Sequence, residues 1–373
     1  KGRMIVESKN KKLLVEKSIE KSQEKYPDNP IFKEPTEVFL DEIKFIESFG
    51  IRSIIDYLSI GEVRVASAVI GTEEKKIIFN VYREYQKLRI NEGFMYDWDD
   101  IAYYVYKELC LDKRPLLYSH VVVDEGQDFS PMMLRSLIKA IPETGSFSFF
   151  GDVAQQIYGS RLSWRDAGIE IEENEIWKFA ENYRNSLEIA NFASDIMKNK
   201  YWKASDEDIV IPISPVASGP KPQLLYFEDS DSEEEWIVSS TARLSANSSN
   251  VIIVKNREME LKFINALSQQ KISVQQIDGK IDKYKNVNGI SITTFYSAKG
   301  LEFDNVFIPF LNKDNFPDLE KMRFMNYEDV YADELKLLYV AVTRARRGLF
   351  MSYSNELTDI FPTNKINYNY TNM

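Results

Sequence analysis

Five short stretches of the chain carry residue types that could act on a phosphoanhydride. The first, Val121-Val122-Val123-Asp124-Glu125-Gly126-Gln127-Asp128, is an apolar run that ends in paired carboxylates. A strand with that ending delivers Asp124 to the C-terminal edge of a sheet, where open α/β folds bind ligands. One carboxylate there can hold Mg²⁺ through its waters, and the next can orient and deprotonate an attacking water. A strand that simply ends in a polar turn has the same pattern. The second stretch, Phe149-Phe150-Gly151-Asp152-Val153-Ala154-Gln155-Gln156-Ile157-Tyr158, again runs from strand to polar turn, and the Gln155 amide could sense a terminal phosphate. The third, Glu181-Asn182-Tyr183-Arg184-Asn185, precedes a helix that Asn185 or Ser186 could cap, with Glu188 spaced for a capping box. An arginine there can stabilise charge on a transferring phosphoryl group, although a solvated arginine at a helix start would look the same. The fourth, Ile292-Thr293-Thr294-Phe295-Tyr296-Ser297-Ala298-Lys299-Gly300-Leu301-Glu302-Phe303-Asp304, is a strand, a small-residue turn and a second apolar strand. The fifth, Leu337-Leu338-Tyr339-Val340-Ala341-Val342-Thr343-Arg344-Ala345-Arg346-Arg347, reads as a helix with a basic end, which the helix dipole alone would favour.

Alternating elements must hold these stretches in place. Residues 1–30 are polar and Lys/Glu-rich and end in a turn at Tyr26-Pro27-Asp28-Asn29-Pro30. Helical spacing of apolar residues follows at 39–60, 75–87 and 98–109, so the first 115 residues read as mostly α-helical. Thereafter short apolar runs at 120–123, 147–150, 251–254, 289–294, 306–310 and 349–353 predict strands. Helical patterns at 186–198, 258–269 and 334–344 lie between them, which predicts α/β layers around a largely parallel sheet. The Pro- and Ser-rich stretch IPISPVASGPKP, residues 211–222, reads as a connection at an inter-domain cleft. The acidic run EDSDSEEE at 228–235 reads as a solvated loop or a helix start.

The 373 residues suit two or three domains with ample core. No run of about 18 apolar residues occurs, so no membrane span is expected. Cys110 is the single cysteine, which leaves no disulfide framework and suits a reducing cytoplasm. With one histidine and one cysteine, a zinc site is not expected. A net charge of −11 argues against non-specific coating of nucleic acid, although it leaves room for a local basic groove.

In their order, DEGQD, GDVAQQIY, ENYRN, TTFYSAKGLEFD and LLYVAVTRAR resemble motifs II to VI of the UvrD/Rep superfamily 1 DNA helicases, over 118–347. FLDEIKFIESFGIRSIIDYL and FMYDWDDIAYYV also look like the helical accessory region of bacterial UvrD-like proteins. The resemblance implies an α/β chain with two RecA-like P-loop NTPase-type parallel-sheet domains. Residues 1–115 would be the 1B-like accessory region, 116–184 part of the first RecA-like domain (1A) and 185–373 the second (2A). It further implies ATP and Mg²⁺ as cofactors and 3′→5′ movement along single-stranded DNA, or a duplex with a single-stranded tail. Asp124 falls on the Mg²⁺ ligand, Glu125 on the catalytic base and Gln155 on the glutamine that links the γ-phosphate to DNA contacts. Tyr183 matches the tyrosine that stacks on adenine, Arg184 and Arg344 the two phosphate-sensing arginines, and Glu302 the motif V glutamate that contacts nucleotide. Tyr158, Trp164, Thr294 and Tyr296 fall at or near DNA-contacting positions, and stacking on such aromatics is indifferent to base sequence.

Several features depart from the family pattern. The tryptophan expected directly after the tyrosine and glycine of motif III is displaced to Trp164, which serves only if the loop is longer and could equally sit in a core. The usual motif V histidine is Tyr296. No G-x-x-x-x-G-K-[ST] occurs anywhere, so the main cradle for the β- and γ-phosphates is missing from these residues. In the family that loop precedes motif II by a long interval, which places it upstream of Lys1 and leaves this chain by itself inactive. From 251 to 302 the chain passes from one strand–helix unit straight to motif V, so the helical 2B domain of full-size relatives is expected to be absent or minimal. The alternative is a non-hydrolysing DNA-binding or scaffolding subunit of a repair or phage-defence complex. A motor piece of a helicase–nuclease polypeptide is a third reading, although 358–373 shows no nuclease carboxylate cluster.

Overall fold

A computed structural model describes residues 4–59, 70–114, 118–152, 167, 175–202, 215, 217–277, 288–323 and 326–373. They form two compact units, one reaching to Asp152 and one comprising Trp177–Arg323 with Tyr327–Met373.

The first unit opens with helices α1 (Ser8–Gln23), α2 (Thr36–Phe49), α3 (Ile54–Ser59), α4 (Thr72–Asn91) and α5 (Ile101–Leu111). The helical spacing seen over 39–60 is split in two because Gly50 takes a left-handed φ of 70°, and its N–H and that of Ile51 close on Glu47 and Ile46. Phe39, Ile43 and Ile46 of α2, Leu14 and Val15 of α1 and Ile78, Tyr82 and Tyr85 of α4 share one core. Beneath it lies a buried ionic cluster. The Lys11 ammonium is 3.3 Å from Glu47 and 2.8 Å from both Asp97 and Asp99, while Arg89 donates to Asp100 at 2.7 Å. Strands β1 (His120–Val123) and β2 (Ser146–Phe149), with α6 (Pro131–Lys139) between them, pair in parallel.

The second unit holds α7 (Leu187–Met197), β3 (Gln223–Phe227), α8 (Ser230–Leu244), β4 (Ser249–Val254), α9 (Arg257–Gln269), β5 (Gln275–Gln276), β6 (Gly289–Thr294), β7 (Phe303–Ile308), α10 (Tyr327–Val342), β8 (Ala345–Ser354) and β9 (Asn369–Asn372). Its strands form one parallel sheet in the order β5-β6-β4-β7-β8-β3-β9. Strand β4 shows why the run Val251–Val254 is apolar without a break. Val251 and Ile253 point to one face, where they meet α7 and α10, and Ile252 and Val254 point to the other, where they meet α8 and α9. Both faces of a parallel sheet are covered by helices, and each fully buried Val or Ile contributes about 1.5–3 kcal/mol.

The acidic run at 228–235 is a helix start. The Asp229 side chain accepts from the N–H groups of Asp231 and Ser232 at the head of α8, and Glu233 turns inward to accept from Phe310 N–H and Ser352 Oγ. Residues 217–222, the described end of the Pro/Ser-rich stretch, belong to the second unit. Ala217 O accepts from Leu187 N–H at 2.8 Å and Gly219 N–H donates to Glu188 at 2.6 Å, so this end packs against the start of α7. Glu188 is thereby committed, and the capping box read from its spacing does not form. Only residues 270–288 separate α9 from β6, too few for a large helical domain at that point.

Candidate functional site

In the first unit the carboxylate pair follows β1 directly. Glu125 takes a left-handed φ of 51°, and its N–H donates to Asp124 Oδ1 at 2.9 Å, which turns the two side chains out of the strand line. Gly126 comes next because its N–H donates to Phe150 O at 2.7 Å, and a Cβ there would lie only 2.2 Å from the Phe149 ring. Gln127 then ties the two motifs together: its amide donates to Glu125 Oε2 at 2.5 Å, while its Oε1 accepts from Asp152 N–H at 2.9 Å. The turns after β1 and β2 are therefore one braced corner. Exposed hard oxygens at such a strand end fit a Mg²⁺ ion held through water. Gln155, Tyr158 and Trp164 lie outside the described residues.

In the second unit Asn182 Oδ1 accepts from the N–H groups of both Arg184 and Asn185, forming a tight turn. Asn185 is buried, and its amide donates to the carbonyls of Thr343 and Ala345 at 3.0 and 2.6 Å, which binds the ENYRN turn to the end of α10. Tyr183 is 88% exposed, its hydroxyl bonded to Glu181. Arg184 Nε donates to Glu302 Oε1 at 2.5 Å, and Arg346 donates to Glu302 Oε2 from Nε and Nη2 at 3.0 and 2.7 Å. Partial burial pushes the Glu302 carboxyl up, but the Arg346 and Arg184 guanidiniums outweigh it and hold the group below the usual carboxylate range.

Arg344 is placed differently from Arg184. It is 1% exposed, and its guanidinium donates to Val340 O, Leu301 O and Thr343 Oγ1. Of the sequence-derived nucleotide residues in this unit, Arg184 and Glu302 meet at one partly open corner, Tyr183 precedes Arg184 on the same turn, and Arg344 is buried against Val340 and Leu301. Thr294 ends β6, its hydroxyl accepting from Ser297 N–H at 3.4 Å, while Tyr296 is half-buried with its hydroxyl 3.4 Å from Lys321 Nζ. Burial pushes the Tyr296 hydroxyl up. Sequence reasoning passed over Arg346 and saw Asn185 only as a cap. The run Arg344-Ala345-Arg346-Arg347 offered the signal, but nothing local says which guanidinium turns outward.

Among the described residues Glu47, Asp97 and Asp99 are close enough to share a metal ion. Lys11 Nζ lies within 3.3 Å of all three, so an ammonium already supplies the positive charge.

The strand ends of this parallel α/β framework present paired carboxylates in the first unit and partly exposed arginines in the second. The chain belongs to the UvrD/Rep helicase family: residues 4–180 match the UvrD/REP helicase N-terminal domain and 278–356 the UvrD-like helicase C-terminal domain. It is 28% identical over 252 residues to a probable DNA helicase of Mycoplasma pneumoniae, covering 62% of this chain and 43% of that protein. It is 27% identical over 195 residues to the exonuclease/helicase subunit RexA of Lactococcus lactis, covering 44% of this chain and 16% of RexA. A probable DNA helicase II homolog of M. pneumoniae is 42% identical over 89 residues, 24% of this chain and 11% of that protein. The chain thus spans less than half of each of these relatives. No described helix is long and apolar enough to cross a membrane.

Proposed function

We propose that this chain supplies most of the catalytic and DNA-tracking residues of an ATP-dependent, 3′→5′ single-stranded DNA translocase or helicase of the cytoplasm. Asp124 would hold Mg²⁺ and Glu125 would take the proton of the attacking water. Arg184 and Arg344 would neutralise phosphate charge, Tyr183 would stack on adenine and Glu302 would meet the nucleotide. Gln155, Tyr158 and Trp164 complete the proposed set, with Thr294 and Tyr296 on the DNA. Residues 1–115 would be the accessory region, 116–184 part of the first RecA-like domain and 185–373 the second, although the ENYRN turn at 181–185 already packs within the second compact unit. When bound, Mg²⁺–ATP supplies the free energy. The chain's own part is to orient water, screen charge and grip the strand. The observation that carries this reading is the braced corner in which Gln127 joins the Asp124–Glu125 turn to the Gly151–Asp152 turn.

A second reading is a non-hydrolysing DNA-binding or scaffolding subunit in a repair or defence assembly; that residues 1–373 hold no G-x-x-x-x-G-K-[ST] loop is common to both readings. Both readings predict that purified 1–373 hydrolyses no ATP. They part when a phosphate loop is present: Glu125→Gln in a polypeptide that carries one should lower DNA-stimulated turnover by about 10²–10⁴-fold, the usual worth of a general base. Turnover unchanged by that substitution would end the enzyme reading. DNA contact is checked separately by anisotropy with a fluorescent oligo-dT, where Thr294→Ala and Tyr296→Ala should each weaken binding. Equal affinity of all three proteins would remove both residues from the DNA surface.

A further inference from the structure

The two partly exposed guanidiniums around Glu302 share that single carboxylate. Arg184 engages Oε1 at 2.5 Å and Arg346 engages Oε2 at 2.7 Å, with side-chain exposures of 38%, 43% and 27% for Arg184, Arg346 and Glu302. The motif resemblance draws attention to Arg344, whose guanidinium donates here to the carbonyls of Val340 and Leu301, while Arg346 is the second guanidinium on Glu302.

Backbone, rather than the ion pair, holds the two open arginines in place. Arg184 rides on the turn closed by Asn182 and anchored by Asn185 to the carbonyls of Thr343 and Ala345. Arg346 lies one residue beyond Ala345 in β8, whose first strand pairing, Phe303↔Ala345, begins beside Glu302. With the carboxylate displaced, two forks would remain aimed at one spot. Such a pair suits an acceptor with more oxygens and more charge than a carboxylate, namely a terminal phosphate.

We propose that Arg346 is an anion-binding residue of the nucleotide site, working with Arg184 on the outermost phosphate, and that Glu302 is an internal competitor which occupies both arginines until a polyphosphate displaces it. This rests on the reading of that corner as a nucleotide site. The field of Arg346 and Arg347 also reaches Asp304, but that carboxylate is committed to Ser249 through N–H and Oγ at 3.0 Å each and does not compete for the same spot.

The competitor role makes a prediction of unusual sign. Residues 1–373 and the variants R346A, R346K, R184A and E302Q are titrated with sodium tripolyphosphate by calorimetry, with thermal melts confirming that each is folded. Removing a charged donor should weaken binding by about tenfold or more for R346A and R184A, since hydrogen bonds to charged groups are the strong ones. R346K restores charge without the fork and should recover part of the loss. E302Q should tighten binding several-fold, because the competing charge is gone. Weaker binding by E302Q overturns the competitor, as does R346A matching wild type while R184A weakens; in that second case the nucleotide reading of the corner survives. If neither arginine variant changes the affinity, or wild type binds no tripolyphosphate, both fall.

Discussion

Asn185 joins stretches of chain 158 and 160 residues apart. Its amide satisfies two carbonyls in a place from which water is excluded, so truncation strands both. Asn185→Ala should lower stability by about 1–3 kcal/mol, the desolvation penalty of unpaired polar groups, and loosen the turn that carries Arg184. Urea unfolding measures it, and a loss below about 0.5 kcal/mol would show that the carbonyls find other donors. At this scale the sequence revealed residue types and their order but not orientation. Asp124-Glu125 after Val123 could be read directly because strand, turn and charge are contiguous. The inward fold of Arg344 depends on the carbonyls of Val340 and Leu301, and the outward aim of Arg346 on Glu302, 44 residues away. Local patterning holds no trace of such a pairing.

Elements show the same divide. Strands His120–Val123 and Gly289–Thr294 have the bounds their apolar runs suggest, since continuous apolar stretches stopped by polar or glycine residues leave little choice. Helix α1 went unmarked because the face it buries is Lys11, Leu14, Val15, Ser18 and Ser22, helically spaced but mostly not apolar. That face works only because distant carboxylates meet Lys11. Two cations, Lys11 and Arg89, face four carboxyls, and full burial raises Glu47 well above the ordinary carboxylate value. Asp97 is also pushed up by burial, but Lys11 and the Tyr85 hydroxyl bring it below the usual range. Lys11→Met should therefore cost about 3–5 kcal/mol by leaving charges buried without a partner, whereas Glu47→Gln, which mimics the protonated acid, should cost much less. The pH dependence follows from the direction of the Glu47 shift. Folded protein keeps a proton that the unfolded chain releases, so this stabilisation is complete below the ordinary carboxylate range. It drains as pH rises through the raised value. As pH rises above the ordinary carboxylate range the wild-type urea midpoint should fall more than that of Glu47→Gln. Parallel profiles would show that Glu47 is ionised in the fold.

At the scale of the whole molecule the two units have separate cores. One is built from α1, α2 and α4, while the other lies on both faces of the seven-stranded sheet. Denaturation should accordingly proceed in two steps. Lys11→Met should move only the step belonging to the helical unit, and Asn185→Ala only the step belonging to the sheet. A single transition that both variants shift alike would mean that the units unfold as one. The alternation of strands and helices that predicts the second unit was plain in its sequence, because a sheet covered on both faces must be written in apolar runs. Strand β3 with helix α8 was harder to see, since the acidic run at the head of α8 masks a cap and a buried Glu233.

Among the described residues the sheet begins at β5, two glutamines long, and finishes at β9, where Asn369, Tyr370, Thr371 and Asn372 are all exposed. Short and polar borders make poor templates for foreign strands. The long hydrophobic strands β4, β6, β7 and β8 lie between them, so a crowded solution of this chain should resist fibrillar association for as long as the sheet keeps its rim.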